Sequence, residues 1–433
     1  MSKVATLLRS SQRRPENKKM SKAIIIGGGI IGLFSAYYLN KSGWEVEILE
    51  QGDLTDNASF GNAGMIVPSH FIPLAAPGMI EQGFRWMFNS KSPFYVKPSL
   101  NPELIGWGLK FLKAANKQHV ERSATALRDL SLLSKKLYQE LEQNIDFDFG
   151  FADKGILMLF KTPKFEEEER HTAEKATQLG LDAQYLTAEE CRKLQPDIEL
   201  DILGAVHYHC DAHLSPNKLM VGLVNHLEKA GVKIHRNTPV TKVEHADGRI
   251  TQVISNDKSF TADAYVMAGG AWTPAIGKLA GLNIPLMPGK GYSFMVDEPQ
   301  HRMAIPALLC EARVSVTPMN GRIRFGGTME IGKINQQVNM NRVAGIVESI
   351  PQYFPDFAPA LPRQKDIWFG FRPCSPDGLP YIGLSGKYNN LAVATGHGMM
   401  GLSLAPATGK LIDEVLNNNT PSTGISQFSP NRY

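Results

Sequence analysis

The chain has 433 residues, enough for two or three domains' worth of core, and its composition is ordinary for a globular protein. A net charge of +4 is too small to indicate nucleic-acid binding, and the absence of any run of about 18 apolar residues predicts no membrane-spanning helix. The four cysteines lie far apart without a C-x-x-C pair, which favours a reducing compartment, the cytoplasm, over a disulfide framework or a zinc site.

The first 21 residues differ from the rest of the chain. They are basic and polar, and they lack the apolar core of a secretory signal. We expect residues 1–21 to form a disordered basic extension, with Met20 as a second candidate start. The alternative is a targeting segment.

Residues 23–50 follow the order of a dinucleotide-binding fingerprint. An apolar strand over 23–26 leads into glycines spaced as G-x-G-x-x-G, and a helix-compatible run follows at 33–39. A second strand over 45–49 ends on Glu50. The pattern predicts a bound dinucleotide, and the alternative is a glycine-rich turn without a ligand.

Each residue of this fingerprint has a physical role. Gly27 allows the tight turn, Gly29 lets backbone N–H groups approach the pyrophosphate at the positive end of the helix, and Gly32 lets the helix pack closely on the strand. Glu50 can accept hydrogen bonds from a ribose diol. The remaining predicted contacts of this segment are Ile30, Ile31 and Gln51.

The loop at 53–65 consists of small residues and side-chain donors, which let backbone amides reach a ligand. It resembles the loop that runs under the flavin and pyrophosphate in the D-amino-acid oxidase superfamily of FAD enzymes. The bacterial D-amino-acid dehydrogenase branch is the most similar, since a Pro-rich Ala-Pro-Gly element follows at 68–78. The resemblance implies FAD contacts at Ser59, Asn62, Ala63, Gly64 and Met65.

Residues 79–118 carry many aromatic and aliphatic side chains interleaved with lysines. An amphipathic surface that docks on a membrane has this composition, and so does an ordinary helix packed on the core. The aromatic and methionine side chains are Phe84, Trp86, Met87, Phe88, Phe94, Tyr95, Trp107 and Phe111.

The middle of the chain alternates helices and strands. A polar residue stands at every second position over 207–213, namely His207, His209, Asp211 and His213. A metal cluster and a strand with one polar face both give this pattern, and we predict no metal site. His213 is a further candidate for facing the active site. Ser215 and Pro216 then predict the start of a helix.

Two segments between 237 and 294 extend the resemblance. The family's adenine contact falls on Val240, and an apolar strand ending in Ala-Gly-x-x-Trp resembles the second FAD signature, with contacts at Ala268, Gly269 and Trp272. Residues 285–294 match a Pro-x-x-Gly-Tyr segment that contains Tyr292. Strands at 314–318 and 322–328 predict an antiparallel sheet above the flavin.

The C-terminal part carries the predicted chemistry. Residues 368–383 are similar to the family's Gly-x-Arg-Pro and Pro-Asp-Gly-x-Pro block, which makes Arg372 the clamp for a substrate carboxylate. Tyr292 and His70 are predicted to line the pocket. After a strand, a glycine-rich turn begins a helix whose N-terminus favours a reduced, anionic flavin. The FAD contacts predicted here are Gly370, His397, Gly398, Met399, Met400, Gly401 and Leu402.

The resemblance covers about residues 22–418, with four motifs in the same order. It implies an α/β fold with a Rossmann-type FAD-binding domain and an interleaved α+β substrate domain that contains an antiparallel sheet. We expect the FAD domain at 22–70, 195–280 and 365–418, and the substrate domain at 71–194 and 281–364. Gly370 stands where the sarcosine-oxidase branch has its flavin-linked cysteine, so non-covalent FAD is expected.

The expected activity is oxidation of D-amino acids to 2-oxo acids through an imine. A quinone-type acceptor would take the electrons, with peripheral contact at the inner face of the cell membrane. The sequence shows no strong general base. Two alternatives stay open: a dehydrogenase or oxidase of secondary amines (D-proline, hydroxyproline, sarcosine, glycine), and a non-catalytic flavoprotein subunit.

Overall fold

The computed structural model describes residues 20–78, 81, 91–96, 101–297 and 301–433. The predicted N-terminal extension, apart from its last two residues, lies outside these ranges. So do the side chains of Phe84, Trp86, Met87 and Phe88, on which part of the predicted membrane surface depended.

The described residues alternate helices and strands along the chain. The α-helices are α1 (Ile30–Lys41), α2 (Pro102–Ala114), α3 (Lys117–Asn144), α4 (Pro163–Gln178), α5 (Ala188–Leu194), α6 (Pro216–Lys229), α7 (Thr273–Leu279), α8 (Met340–Tyr353) and α9 (Gly401–Leu416). The strands are β1 (Lys22–Ile26), β2 (Glu45–Leu49), β3 (Met65–Ile66), β4 (Phe94–Val96), β5 (Ile156–Phe160), β6 (Ala183–Thr187), β7 (Gly204–Tyr208), β8 (Ala212–His213), β9 (Lys233–His235), β10 (Lys242–Ala246), β11 (Arg249–Ser255), β12 (Lys258–Phe260), β13 (Ala264–Met267), β14 (Met287–Val296), β15 (Ala307–Leu309), β16 (Val314–Met319), β17 (Arg322–Ile331), β18 (Trp368–Cys374), β19 (Tyr381–Leu384) and β20 (Leu391–Thr395).

A mainly parallel sheet carries the glycine motif. Its strand order is β19-β20-β13-β1-β2-β9, and every pair is parallel except β19 with β20. The central strands β1 and β13 are apolar and buried because helices and a small antiparallel sheet, β10-β11-β12, cover the two faces. Helix α9 packs closely on α1, since a Cβ at Gly409 would lie 2.5 Å from the Phe34 backbone.

A larger sheet forms the second layer of the fold. Its order is β18-β14-β17-β16-β15-β5-β7-β6, with β4 added beside β17, and its pairs are antiparallel except β15 with β5 and β17 with β4. One face packs on α8 around an apolar core that includes Phe325 and Ile346. The opposite face is turned towards the parallel sheet.

The predicted fold class, a Rossmann-type α/β domain with an interleaved α+β part containing an antiparallel sheet, is confirmed. Two strands inside the predicted FAD-domain segments, β7 and β18, pair in the larger sheet instead. The domain boundaries expected from sequence therefore do not follow the division between the sheets at these two places. They remain a prediction elsewhere.

Candidate active site

A cavity of about 1170 Å³ lies between the two sheets. Its walls include the carboxyl ends of β1, β2, β13 and β20 on one side and residues of β14, β17 and β18 on the other. A crevice outside the carboxyl ends of parallel strands is the usual ligand site of such a sheet. All the residues predicted above as FAD contacts border this cavity except Gly32 and Gly64.

The glycine turn shapes one end of the cavity. Gly27 has φ +114°, and a Cβ there would lie 2.5 Å from the Ala268 carbonyl oxygen. A Cβ at Gly32 would lie 2.0 Å from the Gly27 carbonyl oxygen, so this glycine sets the close packing of α1 on the turn. At Gly29, by contrast, a Cβ would meet Ser59 Oγ only at 3.7 Å, which leaves the N-terminus of α1 open to a ligand.

Glu50 is buried beside this turn. Its Oε2 accepts a hydrogen bond from the Gly28 N–H at 2.6 Å, and its Oε1 accepts one from the Gly52 N–H at 2.8 Å. A carboxylate offers about four lone-pair sites, so acceptor capacity remains for the hydroxyls of a ribose. Gln51 and Val240 border the same part of the cavity.

The loop at 57–65 is held by a residue that sequence reasoning missed. Arg324, on β17, donates to the carbonyl oxygens of Phe60 at 2.9 Å and Asn62 at 2.7 Å, and burial lowers its pKa to about 10. The Ser59 Oγ accepts from the Ile30 N–H at 3.1 Å and so joins the loop to the start of α1. The sequence feature that could have revealed Arg324 is its position, as a charged residue between the apolar strand residues Ile323 and Phe325.

A second helix N-terminus also meets the cavity. Helix α9 begins at Gly401 with no acidic residue in its first turn, so its positive end is not compensated there. The His397 Nε2 lies 2.9 Å from Thr408 Oγ1, and because that hydroxyl donates to the Leu404 carbonyl, the imidazole is the donor of this pair. The Nδ1 of His397 is buried without a partner, and burial lowers the pKa of the ring to about 3.

The residues present fit a bound flavin dinucleotide. Gly270 and Gly398 both have positive φ, and a Cβ at either would meet nothing within 4 Å, so both leave open cavity where a side chain would stand. Two helix N-termini, the Glu50 carboxylate and the unpaired Nδ1 of His397 supply polar groups along the cavity wall.

Arg372 lies on the wall formed by the larger sheet. Its Nη1 donates to the Thr328 carbonyl oxygen at 2.6 Å, and no carboxylate forms a salt bridge with it among the described residues. Burial lowers the pKa of the guanidinium. A Cβ at Gly291 would lie 2.2 Å from Nη1, so glycine at that position provides the space for the fork. A cation without a charge partner at a cavity wall is suited to an anionic ligand group.

Thr328 is a second site residue that the sequence did not reveal. It has φ +60°, which is unusual for a β-branched residue, and its buried Oγ1 has no hydrogen-bond partner. This backbone conformation directs the carbonyl oxygen at Arg372. Strain of this kind occurs at functional sites when the surrounding structure enforces it.

Tyr292 lines the cavity, as predicted, but its hydroxyl lies on the other face of the sheet from Arg372. Tyr292 pairs with Phe369 in the β14–β18 register, whereas the Arg372 face carries the neighbouring pair of Gly291 and Gly370. Although Tyr292 borders the cavity, its hydroxyl accepts a hydrogen bond from the Asn339 N–H at 3.1 Å, at the start of α8. The period-two alternation of a strand turns this hydroxyl away from Arg372.

His70 also borders the cavity and keeps part of its surface exposed. Burial, with a smaller contribution from the charge of Arg313, lowers its pKa to about 4, so its ring is neutral at pH 7. Tyr208, Glu169 and Arg313 line the cavity as well, and no sequence motif marked them. His213 is buried and does not border the cavity.

Comparison with known proteins places the chain among related sequences and folds. A family profile described as FAD dependent oxidoreductase (DAO) matches residues 22–415. D-amino acid dehydrogenase of Helicobacter pylori is 29% identical over 413 residues, covering 94% of this chain and 98% of the relative. The enzyme of the same name from Methylobacterium nodulans is 30% identical over 423 residues, covering 95% and 99%. The crystal structure of glycine oxidase from Geobacillus kaustophilus has 24% identity and a TM-score of 0.74, covering 96% of this chain and 100% of that one.

Proposed function

This chain belongs to the family of FAD-dependent oxidoreductases and is an amine oxidoreductase, and on that premise we propose that it oxidises D-amino acids to 2-oxo acids through an imine. Both relatives described above are named D-amino acid dehydrogenase, and this chain matches them over nearly their whole length. The observation that carries the proposal in this chain is the position of Arg372.

Arg372 is proposed to bind the α-carboxylate. Its guanidinium offers a planar fork that can donate two parallel hydrogen bonds to a carboxylate. Among the described residues, the guanidinium donates one hydrogen bond, to the Thr328 carbonyl oxygen. That contact fixes the plane of the fork. When bound, FAD accepts the two electrons of the oxidation, and the protein must hold the substrate Cα–H in the orientation for this transfer.

Handedness needs a third contact besides the carboxylate and the Cα–H. With the carboxylate on Arg372 and the Cα–H directed at the cofactor, the two enantiomers differ in which side of the cavity receives the amine and which receives the side chain. The D-configuration is proposed because it matches the named relatives.

FAD is proposed to be held without a covalent bond. Gly370 has no side chain to form one, and the nearby thiol of Cys374 packs with Trp107 and Met287. Burial raises the pKa of Cys374 to about 12, so the unreactive thiol form prevails at neutral pH. Acid treatment should release the flavin from purified protein, and yellow colour that stays on the denatured chain would contradict this.

The electron acceptor is proposed to be a membrane quinone, with the protein at the inner face of the membrane. Helix α2 buries Trp107 but exposes Ile105, Leu109 and Leu112, one stripe at helical spacing, beside the exposed Lys113. No described helix is long and apolar enough to cross a bilayer. The four cysteines are free thiols, as expected in a reducing compartment.

The acceptor can be tested with vesicles of anionic phospholipid that contain a quinone. Wild-type protein should bind them and reduce the quinone faster than it forms peroxide. The double variant Leu109→Gln, Leu112→Gln should lose vesicle binding while it keeps dye-linked turnover. Rapid stoichiometric peroxide formation without a dye would identify an oxidase instead.

The substrate can be tested with a panel of D- and L-amino acids, D-proline analogues, glycine and sarcosine, read by dye reduction. The proposal expects D-amino acids to give the highest kcat/KM. A preference for sarcosine or glycine would favour the secondary-amine alternative. Absence of flavin reduction with every compound would indicate a non-catalytic flavoprotein.

A further inference from the structure

A hydrogen-bonded chain leads from the cavity into the protein interior. His70 borders the cavity, and its Nδ1 lies 3.1 Å from the Oγ of Ser69. The Ser69 Oγ donates to the Oδ2 of Asp211 at 2.6 Å. Asp211 is completely buried and does not border the cavity, so Ser69 and His70 stand between its carboxylate and the substrate space.

The carboxylate of Asp211 has no role in the chemistry described above. Its Oδ1 accepts from the Ser69 backbone N–H at 3.0 Å and from the Cys210 thiol at 3.5 Å. These bonds hold the carboxylate in one orientation. A buried acid is costly to a fold, and one aligned on a serine and a cavity histidine has the geometry of a proton acceptor.

The direction of the bonds determines the tautomer of His70. Because the Ser69 hydroxyl donates its single proton to ionised Asp211, its oxygen must accept from the imidazole, which places the proton on Nδ1. The Nε2 of His70 then carries a lone pair. An acceptor nitrogen on a ring that borders the cavity is suited to a substrate ammonium group.

The loop that carries this chain also reaches the carboxylate site. Leu74 packs in the same apolar cluster as Cys374, two residues beyond Arg372. Four residues of extended backbone span at most about 14 Å, so His70 and Leu74 are no farther apart than that. His70, Leu74 and Arg372 all border the same cavity, so an amino acid bound to Arg372 shares that cavity with His70.

We propose that His70, Ser69 and Asp211 form a proton relay that removes the proton from the substrate ammonium group before oxidation. The inference rests on the proposed function. The substrate N–H bond breaks as an Nε2–H bond forms on His70, and the Nδ1 proton passes to the Ser69 oxygen as the serine proton passes to Asp211 Oδ2. The products are a neutral amine, a neutral histidine in its other tautomer and a neutral aspartic acid, so no other reactant is required.

The electrostatics agree with this direction of transfer. Burial raises the pKa of Asp211 to about 7, opposed by Ser69 donors and by Lys135, whereas the pKa of His70 is lowered to about 4. A proton that enters at His70 therefore rests on Asp211. The charged and titratable groups that face the relay from neighbouring elements are Lys135, Tyr208, Cys210, Arg313 and, beside Arg313, Glu169.

The pH dependence of dye-linked turnover tests the relay in the holoenzyme. Wild-type kcat/KM should rise through an inflection near the pKa of Asp211 and then level off, since the relay accepts a proton only from its ionised form. Asp211→Asn and Ser69→Ala should lower kcat/KM by about 10- to 100-fold at pH 8, within the usual contribution of a general base. The loss should shrink to about threefold where the free substrate amine is already neutral.

Two control variants distinguish the relay from structural damage. Ser349→Ala removes an equally buried hydroxyl that donates to the Ile346 carbonyl, and its profile should keep the wild-type shape. Glu169→Gln removes the other acid whose pKa burial raises to about 7, and the neutral inflection should stay. An equal loss at every pH in Ser69→Ala, or an inflection that disappears with Glu169→Gln, would overturn the relay.

A second measurement does not depend on turnover. In ¹⁵N-histidine-labelled holoenzyme, the His70 signals, identified by their absence in His70→Gln, should report the Nδ1–H tautomer at high pH and a change of tautomer as Asp211 takes up a proton. Ser69→Ala should abolish that coupling. If no amino acid is oxidised, the proposed function fails, and the relay is still decided by this coupling: a His70 tautomer that is independent of Ser69 and Asp211 would refute it.

Discussion

Replacement of Arg372 gives the most quantitative test of the site. The side chain stands on the cavity wall with the Thr328 carbonyl as its hydrogen-bond partner and without a described carboxylate to neutralise it. Arg372→Ala should leave a desolvated substrate carboxylate unpaired, which costs about 3–5 kcal/mol. That cost corresponds to a fall in kcat/KM of roughly 150- to 4,000-fold. Arg372→Lys keeps the charge but loses the fork, so its loss should be smaller.

The assay is dye-linked turnover of a D-amino acid under second-order conditions, with flavin content measured for each variant. Lys290→Gln is the matched control, because Lys290 is a buried cation that pairs with Phe371 on the opposite face of the same strands and donates to Gln337. It should retain activity within about threefold, as expected for a residue outside the chemistry. Added guanidinium should partly rescue Arg372→Ala. Activity of Arg372→Ala close to the wild-type value at full flavin content would refute the clamp.

Three further predictions concern the cofactor. Glu50→Ala should weaken FAD binding by about 1.5–3 kcal/mol through lost charged hydrogen bonds, measured by fluorescence titration, whereas Glu45→Gln, at the half-buried first residue of β2, should not. Gly32→Ala should abolish FAD binding because its Cβ would lie 2.0 Å from the Gly27 carbonyl oxygen. The control variant Gly106→Ala should bind FAD normally, because a Cβ at Gly106 would meet no atom within 4 Å. Removal of FAD should lower the melting temperature, since a ligand at a hundredfold excess over its Kd adds about 2.7 kcal/mol to the free energy of unfolding; equal melting temperatures for apo- and holoprotein would contradict FAD binding at this cavity.

Sequence patterns were sufficient where backbone and glycine requirements are local. The spacing of Gly27, Gly29 and Gly32, with a strand before it and Glu50 after it, predicted the turn, the helix and the acid that the structure brings together. The Gly-x-Arg-Pro motif likewise predicted a guanidinium at the cavity. These features depend on residues close together in the chain, and their physical requirements can be read from it.

Features that depend on register were not predictable. Tyr292 and Gly291 are neighbours in sequence, but only their pairing with β18 shows that the Tyr292 hydroxyl is turned to the far face. Asp211 and Ser69 are distant in sequence and meet through a buried contact that no local motif encodes. The polar alternation over 207–213 marked Asp211, yet it could not indicate which partner the carboxylate binds.

The central claim is that this protein oxidises D-amino acids at a flavin. Anaerobic mixing of the purified yellow holoenzyme with the D- and L-forms of the same amino acid tests it most directly, with flavin absorbance as the readout. The account predicts that the D-form bleaches the flavin and that the L-form leaves it oxidised. Equal bleaching by both enantiomers, or bleaching by the L-form alone, would contradict it.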